Sequence, residues 1–516
     1  MFKADNPIMR CDYPDPDIIR VGDVYYMVST TMHFMPGCPV LKSYDLVNWE
    51  IVSYVYDTLE DNDAHTLQNG QNIYGKGMWA ACLRQHKGKY YVCFAANDTH
   101  KNYLFVTDDI EGKWERREIE GFYHDCSLLF DDNDRVYIVY GHDDIHITEL
   151  CPDLSKPLDG GLDRIILSDE KDIPLGYEGS HIYKINGKYY LFTIHAPEKN
   201  KFFRTEACFV ANSLDGEFMG GDIVHDDLDF FGNGVAQGGV VDTPDGQWYM
   251  FIFQDRGAVG RIPVIMPIKW ENDFPVIEKI PKTFSVNSTN KGYTYKKLWG
   301  SDDFYYKTGD KLKSFWQWNH NPDNSKWIAA DGTLKITTDK LCTNLCQARN
   351  VLTQRSIYPK CSAEVTVNAS HMNEGDYIGM AALQSNYGAI ALTKRNGQAE
   401  LVMIARKKPS HEDAHIYNPG ICYDNEQPEE YESIVLDVDS ARIGVSLDFT
   451  DLRDVAEFYY YKDGEKCKIG ITHKLYFWLD HFVGCRFALF AYSTVKKGGT
   501  AEFSNFTYID NPIMLK

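Results

Sequence analysis

Several features are missing from this 516-residue chain, and each absence removes a class of function. Nowhere do eighteen apolar residues run together, so a membrane-spanning helix is not expected. The opening "MFKADNPIMR" has no apolar core of signal-peptide length. Positive charge is scarce: 53 Lys and Arg stand against 74 Asp and Glu, a formal net charge of -21. Such a surface repels phosphate backbones and anionic lipid headgroups, so neither nucleic acid nor membrane is expected as a partner. The thirteen cysteines include no C-x-x-C pair and no Cys/His cluster at zinc spacing, Cys342 and Cys346 being the nearest to each other. Free thiols in a reducing compartment follow, and the expectation is a cytoplasmic, soluble protein acting on a neutral ligand.

What is abundant is aromatic: 34 Tyr, 27 Phe and 10 Trp, a bias that favours strands and flat binding surfaces. The length calls for two domains, each with its own core.

One design recurs five times. "VGDVYYMVST" from Val21, "HKGKYYVCFA" from His86, "DDNDRVYIVYG" from Asp131, "INGKYYLFTI" from Ile185 and "PDGQWYMFIF" from Pro244 each place a Gly, Asn or Asp turn before an aromatic-rich strand. Counting back eleven or twelve residues from Tyr26, Tyr91, Tyr137, Tyr190 and Tyr249 reaches Asp15, Trp79, Asp125, Glu178 and Gln237, each followed by a short strand. Repeats of roughly 45 to 65 residues hold four strands apiece, which predicts the blades of a five-bladed β-propeller. A seven-bladed signalling propeller is disfavoured, since its G-H...W-D signature is missing. Equivalent positions in a propeller converge at one mouth, so these five side chains should meet.

Three of the five are carboxylic acids: Asp15, Asp125 and Glu178. Singly, each reads as a turn or loop acid; a common offset makes their gathering functional, because clustered anions cost stability unless something compensates. Cleavage of a glycosidic bond needs one carboxylic acid to protonate the leaving oxygen and one carboxylate to activate water or attack the sugar. A third, beside the acid, would raise its pKa and keep it protonated. Trp79 offers a flat face to a sugar ring or else belongs to the core. His33 and Phe34, in "TTMHFMPG", could line the same mouth, and Arg261, in "GAVGRIPV", could grasp hydroxyls or hold a carboxylate ionised.

At these residues the chain resembles glycoside hydrolase family 43. The matching stretches are "NPIMRCDYPDPDIIRVGDVYYMVST", "GMWAACLRQHKGKYYV", "HDCSLLFDDNDRVYIVYG", "GYEGSHIYKINGKYYLF" and "GGVVDTPDGQWYMFIFQDRGAVGR". The resemblance implies a propeller of inverting hydrolases, with Asp15 as general base, Glu178 as general acid and Asp125 tuning and orienting the acid. Trp79, Phe34 and Arg261 would shape the pocket for the terminal sugar. Many members carry a histidine where this chain has Gln237, a residue that often contributes to a calcium or water site on the propeller axis. An amide can hold a water that solvates a cation, so Ca2+ stays open as an activator through Gln237, and no cofactor is required.

From about Glu278 the sequence turns polar and turn-rich, as a linker does, and beyond it runs such as "CSAEVTVNA", "AELVMIA" and "FALFAYS" alternate with period two. The expected architecture is therefore all-β: a propeller over residues 1–290 and a jelly-roll-like β-sandwich over 300–516. The opening "FWQWNHNPDNSKW" of the second part resembles the carboxy-terminal module of the xylosidase-like branch. Its tryptophans Trp316, Trp318 and Trp327 could stack on polysaccharide, or a sandwich loop could close the propeller mouth, and the second role is favoured. The combined expectation is an exo-acting, inverting hydrolase that releases terminal β-1,4-xylose and α-L-arabinofuranose from short oligosaccharides. An endo-acting arabinan hydrolase and a sugar-binding propeller without turnover are the rivals; self-association is left open.

Overall fold

The computed structural model describes residues 2–307, 309–406 and 425–512. Among them helix is confined to three short 3-10 turns, and everything else of regular structure is strand.

The first part consists of five four-stranded antiparallel sheets in meander order. Their innermost strands are Asp17–Val21, Met78–His86, Ser127–Phe130, Leu175–Ile185 and Val235–Asp242. The aromatic-rich repeats form the second strand of each blade, Val24–Val28, Lys89–Ala96, Val136–His142, Lys188–Ala196 and Trp248–Asp255. Two-residue turns connect them in the second and fourth blades with positive φ at both positions, Lys87 (49°) and Gly88 (78°), and Asn186 (51°) and Gly187 (83°). Such turns match the right-handed twist of the strands they join. The ring is fastened by its first strand, Phe2–Asp5, which pairs with Thr283–Val286 after the last blade.

Four blades meet on a buried polar hub. Asp17 receives Arg84 at 2.6 Å, the amide of Leu83 at 2.7 Å, His181 Nδ1 at 3.1 Å and the Tyr183 hydroxyl at 3.2 Å. Arg84 also donates to Ser127 Oγ at 2.6 Å and to the Leu128 carbonyl at 2.9 Å. The fifth blade joins through the amide of Gly239, which donates to the Pro16 carbonyl at 3.1 Å, and that of Val240, which donates to Tyr183 at 3.2 Å. Burial would raise the Asp17 carboxyl, but the charges of Arg84 and His181 and the hydrogen bonds outweigh it and hold the group well below the usual carboxylate range.

The second part is a sandwich of an eight-stranded and a seven-stranded antiparallel sheet. Two residues of the larger sheet, Phe34–Met35, come from the first blade: they pair with Gln317–Asn319 and so extend the sandwich across the domain boundary. Apolar packing is continuous as well, since Tyr13, Ile18 and Tyr25 of the propeller belong to the same buried cluster as Trp316, Leu352 and Phe487 of the sandwich. Burial of each large side chain there is worth about 1.5–3 kcal/mol, so the forces that hold either core also join the two parts. Trp316 and Trp318 are buried in that cluster, with Trp316 Nε1 donating to Asp302 at 2.8 Å, and present no stacking platform to solvent.

Candidate active site

The segment "DYPDPD" puts three aspartates within six residues, and each does a different job. Asp17 anchors the hub. Asp12 is buried and accepts from two amides, that of Arg261 at 2.8 Å and that of Gly484 at 3.0 Å, tying the last blade and a sandwich loop to the first. Only glycine fits at 484, because a Cβ would lie 2.1 Å from the Val259 carbonyl oxygen. Asp15, between them, turns into the mouth with a left-handed φ of 50°.

That backbone signature marks the equivalent positions in other blades. Asp125 has φ 46° and Gln237 φ 64°, while Glu178 is followed by Gly179 at φ 65°. Strand register also shifts across Met78/Ala81, around Glu178 and across Ala236/Gly239, the places that carry Trp79, Glu178 and Gln237. A bulge or left-handed residue at the start of an inner strand re-aims its side chain, and its cost of about 1–3 kcal/mol persists only where the surroundings over-determine it.

The re-aimed side chains meet. Gln237 Nε2 donates to Asp125 Oδ2 at 3.2 Å, and the Gln237 amide donates to buried Glu206 at 2.7 Å. His124 Nε2 lies 3.5 Å from Glu178 Oε2 and 3.9 Å from Asp125 Oδ1, and His142 Nδ1 donates to the same Glu178 oxygen at 2.9 Å. The half-buried Trp79 ring stands 5.8 Å from that of His124. Arg261 Nη1 donates to Asp15 Oδ1 at 2.9 Å, with both side chains buried.

Burial dominates the electrostatics. It pushes the Asp15 carboxyl up, against the pull of Arg261 and a hydrogen bond from Thr30. It raises Asp125 to about 6, with the negative charges of Glu178 and Asp15 adding to it and His124 opposing. Glu178 feels the same burial, but hydrogen bonds from His124 and His142 outweigh it and bring the group down to about 2. His124 is raised to about 9 despite burial, by Asp125 and Glu178. In the free site, then, Asp15 and Asp125 are the raised carboxyls, Glu178 is the lowered one, and the proton beside it sits on His124. This differs from the expected Asp125-raised Glu178, because two imidazoles that the sequence reading did not include face the glutamate.

A model of glycosyl hydrolases family 43 matches residues 4–275, just over half the chain, and one of the beta-xylosidase C-terminal concanavalin A-like domain matches 301–509. The chain belongs to glycosyl hydrolases family 43. Among curated relatives it is 28% identical to a beta-xylosidase of Formosa agariphila over 66% of this chain and 62% of that one. It is 26% identical to xylosidase/arabinosidase 43B of Humicola insolens over 91% and 88% of the two chains. A solved structure of a bifunctional GH43-CE protein of Bacteroides eggerthii is similar at 38% identity and a TM-score of 0.87, over 99% of this chain and 64% of that one. The chain thus spans less than two thirds of the Formosa and Bacteroides proteins.

Not every residue singled out in this family 43 chain reaches the mouth. His33 has no exposed surface and packs at the domain boundary among Tyr74, His320 and His481, at ring separations of 4.7, 5.1 and 4.9 Å. Phe34 is fully buried too, its face covered by the Arg486 guanidinium at 3.5 Å. The cause is local: Phe34–Met35 is drawn into the sandwich sheet, which turns both rings inward. Phe34 packs behind Trp79 and Phe482, and neither ring offers a face to a sugar.

The wall itself is completed by Phe482, which no sequence repeat marks. Its ring lies 5.7 Å from Trp79 and 4.2 Å from the Arg261 guanidinium. His124 directly precedes Asp125 and His142 ends the second strand of the same blade; neither sits at the five-fold offset, which is why the repeat did not single them out. Gln237, for its part, is a poor calcium ligand here. Its amide nitrogen is engaged by Asp125, and the nearby hub already holds a fixed cation, Arg84, against Asp17. Calcium asks for six to eight oxygens, of which the Gln237 side chain offers one.

Proposed function

We propose that the protein is an exo-acting, inverting glycosidase that releases terminal β-1,4-xylose and α-L-arabinofuranose from short oligosaccharides. The observation that carries this reading is the meeting of Asp15, Asp125 and Glu178 at one mouth that Phe482 of the sandwich walls on one side. The xylosidase and arabinosidase names of the relatives support the substrate class.

In this reading Asp15 is the general base. Arg261 opposes the upward push of burial and favours the ionised carboxylate, the form that draws a proton from water attacking the anomeric carbon. Glu178 is the general acid. A sugar whose leaving oxygen enters between Glu178 and His142 displaces the imidazole, strips water from the carboxyl and raises its affinity for a proton. His124, which holds the proton in the free site at 3.5 Å from Glu178, supplies it. Asp125, steadied by Gln237, keeps negative charge beside both groups and favours the protonated glutamic acid. Trp79 faces the apolar side of the sugar, and Phe482, beside Trp79 and Arg261, closes one side of the mouth, which favours a chain end over a chain running through.

The twelve described cysteines are free thiols, even Cys93 and Cys126 with sulfurs 3.5 Å apart, which supports a reducing, cytoplasmic setting and imported oligosaccharides as substrates. Turnover of nitrophenyl β-xyloside and nitrophenyl α-arabinofuranoside, with product analysis on xylo-oligosaccharides, tests the proposal. Single sugars are expected. Oligomeric products, or no turnover of either compound, would overturn it.

A further inference from the structure

Around Glu178 the donors have the chemistry of a metal centre. His124 Nε2, His142 Nδ1 and a Glu178 oxygen all lie within 4.8 Å of one another, the only such group of three among the described residues. Both imidazoles point at the same oxygen, from 3.5 and 2.9 Å. A tetrahedral zinc ion with ligands at about 2.0–2.1 Å sets its donors about 3.3 Å apart; the two nitrogen–oxygen separations, 3.5 and 2.9 Å, are within a few tenths of an ångström of that, and all three donors stay within 4.8 Å of one another. They come from three different places, the approach to the third blade, the end of its second strand and the inner strand of the fourth, so the convergence is tertiary. A second feature points the same way. The far nitrogen of His142 stands 3.5 Å from Asp143 Oδ1, and a carboxylate behind a ligating imidazole fixes its tautomer and strengthens it as a donor.

We propose that His124, His142 and Glu178 form a site for a borderline divalent transition ion, zinc above all, and that its occupation shuts down hydrolysis by taking the Glu178 carboxylate. Two imidazoles and one carboxylate with a fourth position open to water suit zinc, copper or nickel; calcium and magnesium prefer all-oxygen shells. Access is free, since the His142 side chain is 48% exposed. The binding half stands on geometry alone. The inhibitory half rests on Glu178 being the general acid.

Calorimetric titration of the full chain with zinc chloride, with calcium chloride in parallel, tests the binding half. One zinc ion per chain is expected, with affinity at least tenfold weaker in His142→Ala and in His142→Gln and no comparable uptake of calcium. Because His142 lies at the surface, both variants should melt like the parent, and a zinc-induced rise in melting temperature should be lost in both. Hydrolysis of nitrophenyl β-xyloside should fall with zinc and return with a chelator, and the turnover left in His142→Ala should resist zinc. Unchanged zinc affinity in the His142 variants would overturn the site. Zinc bound in a His142-dependent way without effect on turnover would leave the site standing and overturn the acid role of Glu178.

Discussion

The ring of Phe482, carried by the sandwich, lies 4.2 Å from the guanidinium of Arg261, which belongs to the propeller and reaches Asp15 at 2.9 Å. One contact therefore couples the second domain to the residue proposed as the base. A desolvated cation–π contact is worth up to about 2 kcal/mol. Phe482→Ala should lower kcat/KM on nitrophenyl β-xyloside by about tenfold or more, roughly 1.4 kcal/mol, while the half-buried site leaves the melting temperature nearly unchanged. Asp12→Ala should do as much by a different route, since it releases the amides of Arg261 and Gly484 together. Wild-type kinetics in both variants would remove the sandwich from the site.

The carboxylates make the sharper case. Asp15→Asn and Glu178→Gln should each reduce kcat by about 100 to 10,000-fold, the usual worth of a general acid or base, with melting temperatures close to the parent. Asp125→Asn should reduce it less on substrates with good leaving groups, because its work is done on the acid and not on water. Proton NMR of the first product should show the inverted anomer, and the retained anomer would require Asp15 to be a nucleophile.

How far the sequence speaks depends on whether a feature repeats. Turn chemistry and aromatic strands recur in every blade, because each blade solves the same packing problem, so five sheets and the shared offset of Asp15, Trp79, Asp125, Glu178 and Gln237 could be read from "NGKYY" and its kin. The sandwich was legible for the same reason, from its period-two alternation. Features that occur once are different. Phe34–Met35 crosses into the sandwich sheet, and so His33 and Phe34 face inward where the linear pattern put them at the mouth. Phe482 reaches the site across more than two hundred residues of chain from Arg261, and His124 and His142 converge on Glu178 from two antiparallel strands at one end of the third blade. Local spacing carries no trace of such contacts.

The hub gives a stability test independent of catalysis. Arg84 and Asp17 are both buried, and breaking one side of a buried pair typically costs about 3–5 kcal/mol because it strands the other charge. Arg84→Met should therefore lower stability by that order in denaturant unfolding, and adding Asp17→Asn should recover part of it. The Asp17 carboxyl is depressed in the fold, so its stabilisation is complete above its unfolded value of about 3.9 and is lost as pH falls through the folded value below. Below about pH 4, Asp17→Asn should consequently lose stability less steeply than the parent.

A second pH effect, in a milder range, should arise at the domain boundary. His33 and His320 are fully buried, and burial, with the neighbouring imidazoles adding to it, holds both well below the ordinary histidine value. His320 Nε2 accepts a hydrogen bond from the Ile73 amide at 3.0 Å, an arrangement that only the neutral ring allows. With folded values depressed, the unfolded chain binds protons that the fold refuses, so stability is fully present above the unfolded value of about 6.5 and falls as pH drops below it. Each histidine contributes a slope of up to about 1.4 kcal/mol per pH unit. Measured between pH 7.5 and pH 5, the unfolding free energy of the parent should lose more on acidification than that of His33→Gln, which has one such ring fewer. An identical slope in parent and variant would mean that His33 takes up its proton without opening the boundary between propeller and sandwich.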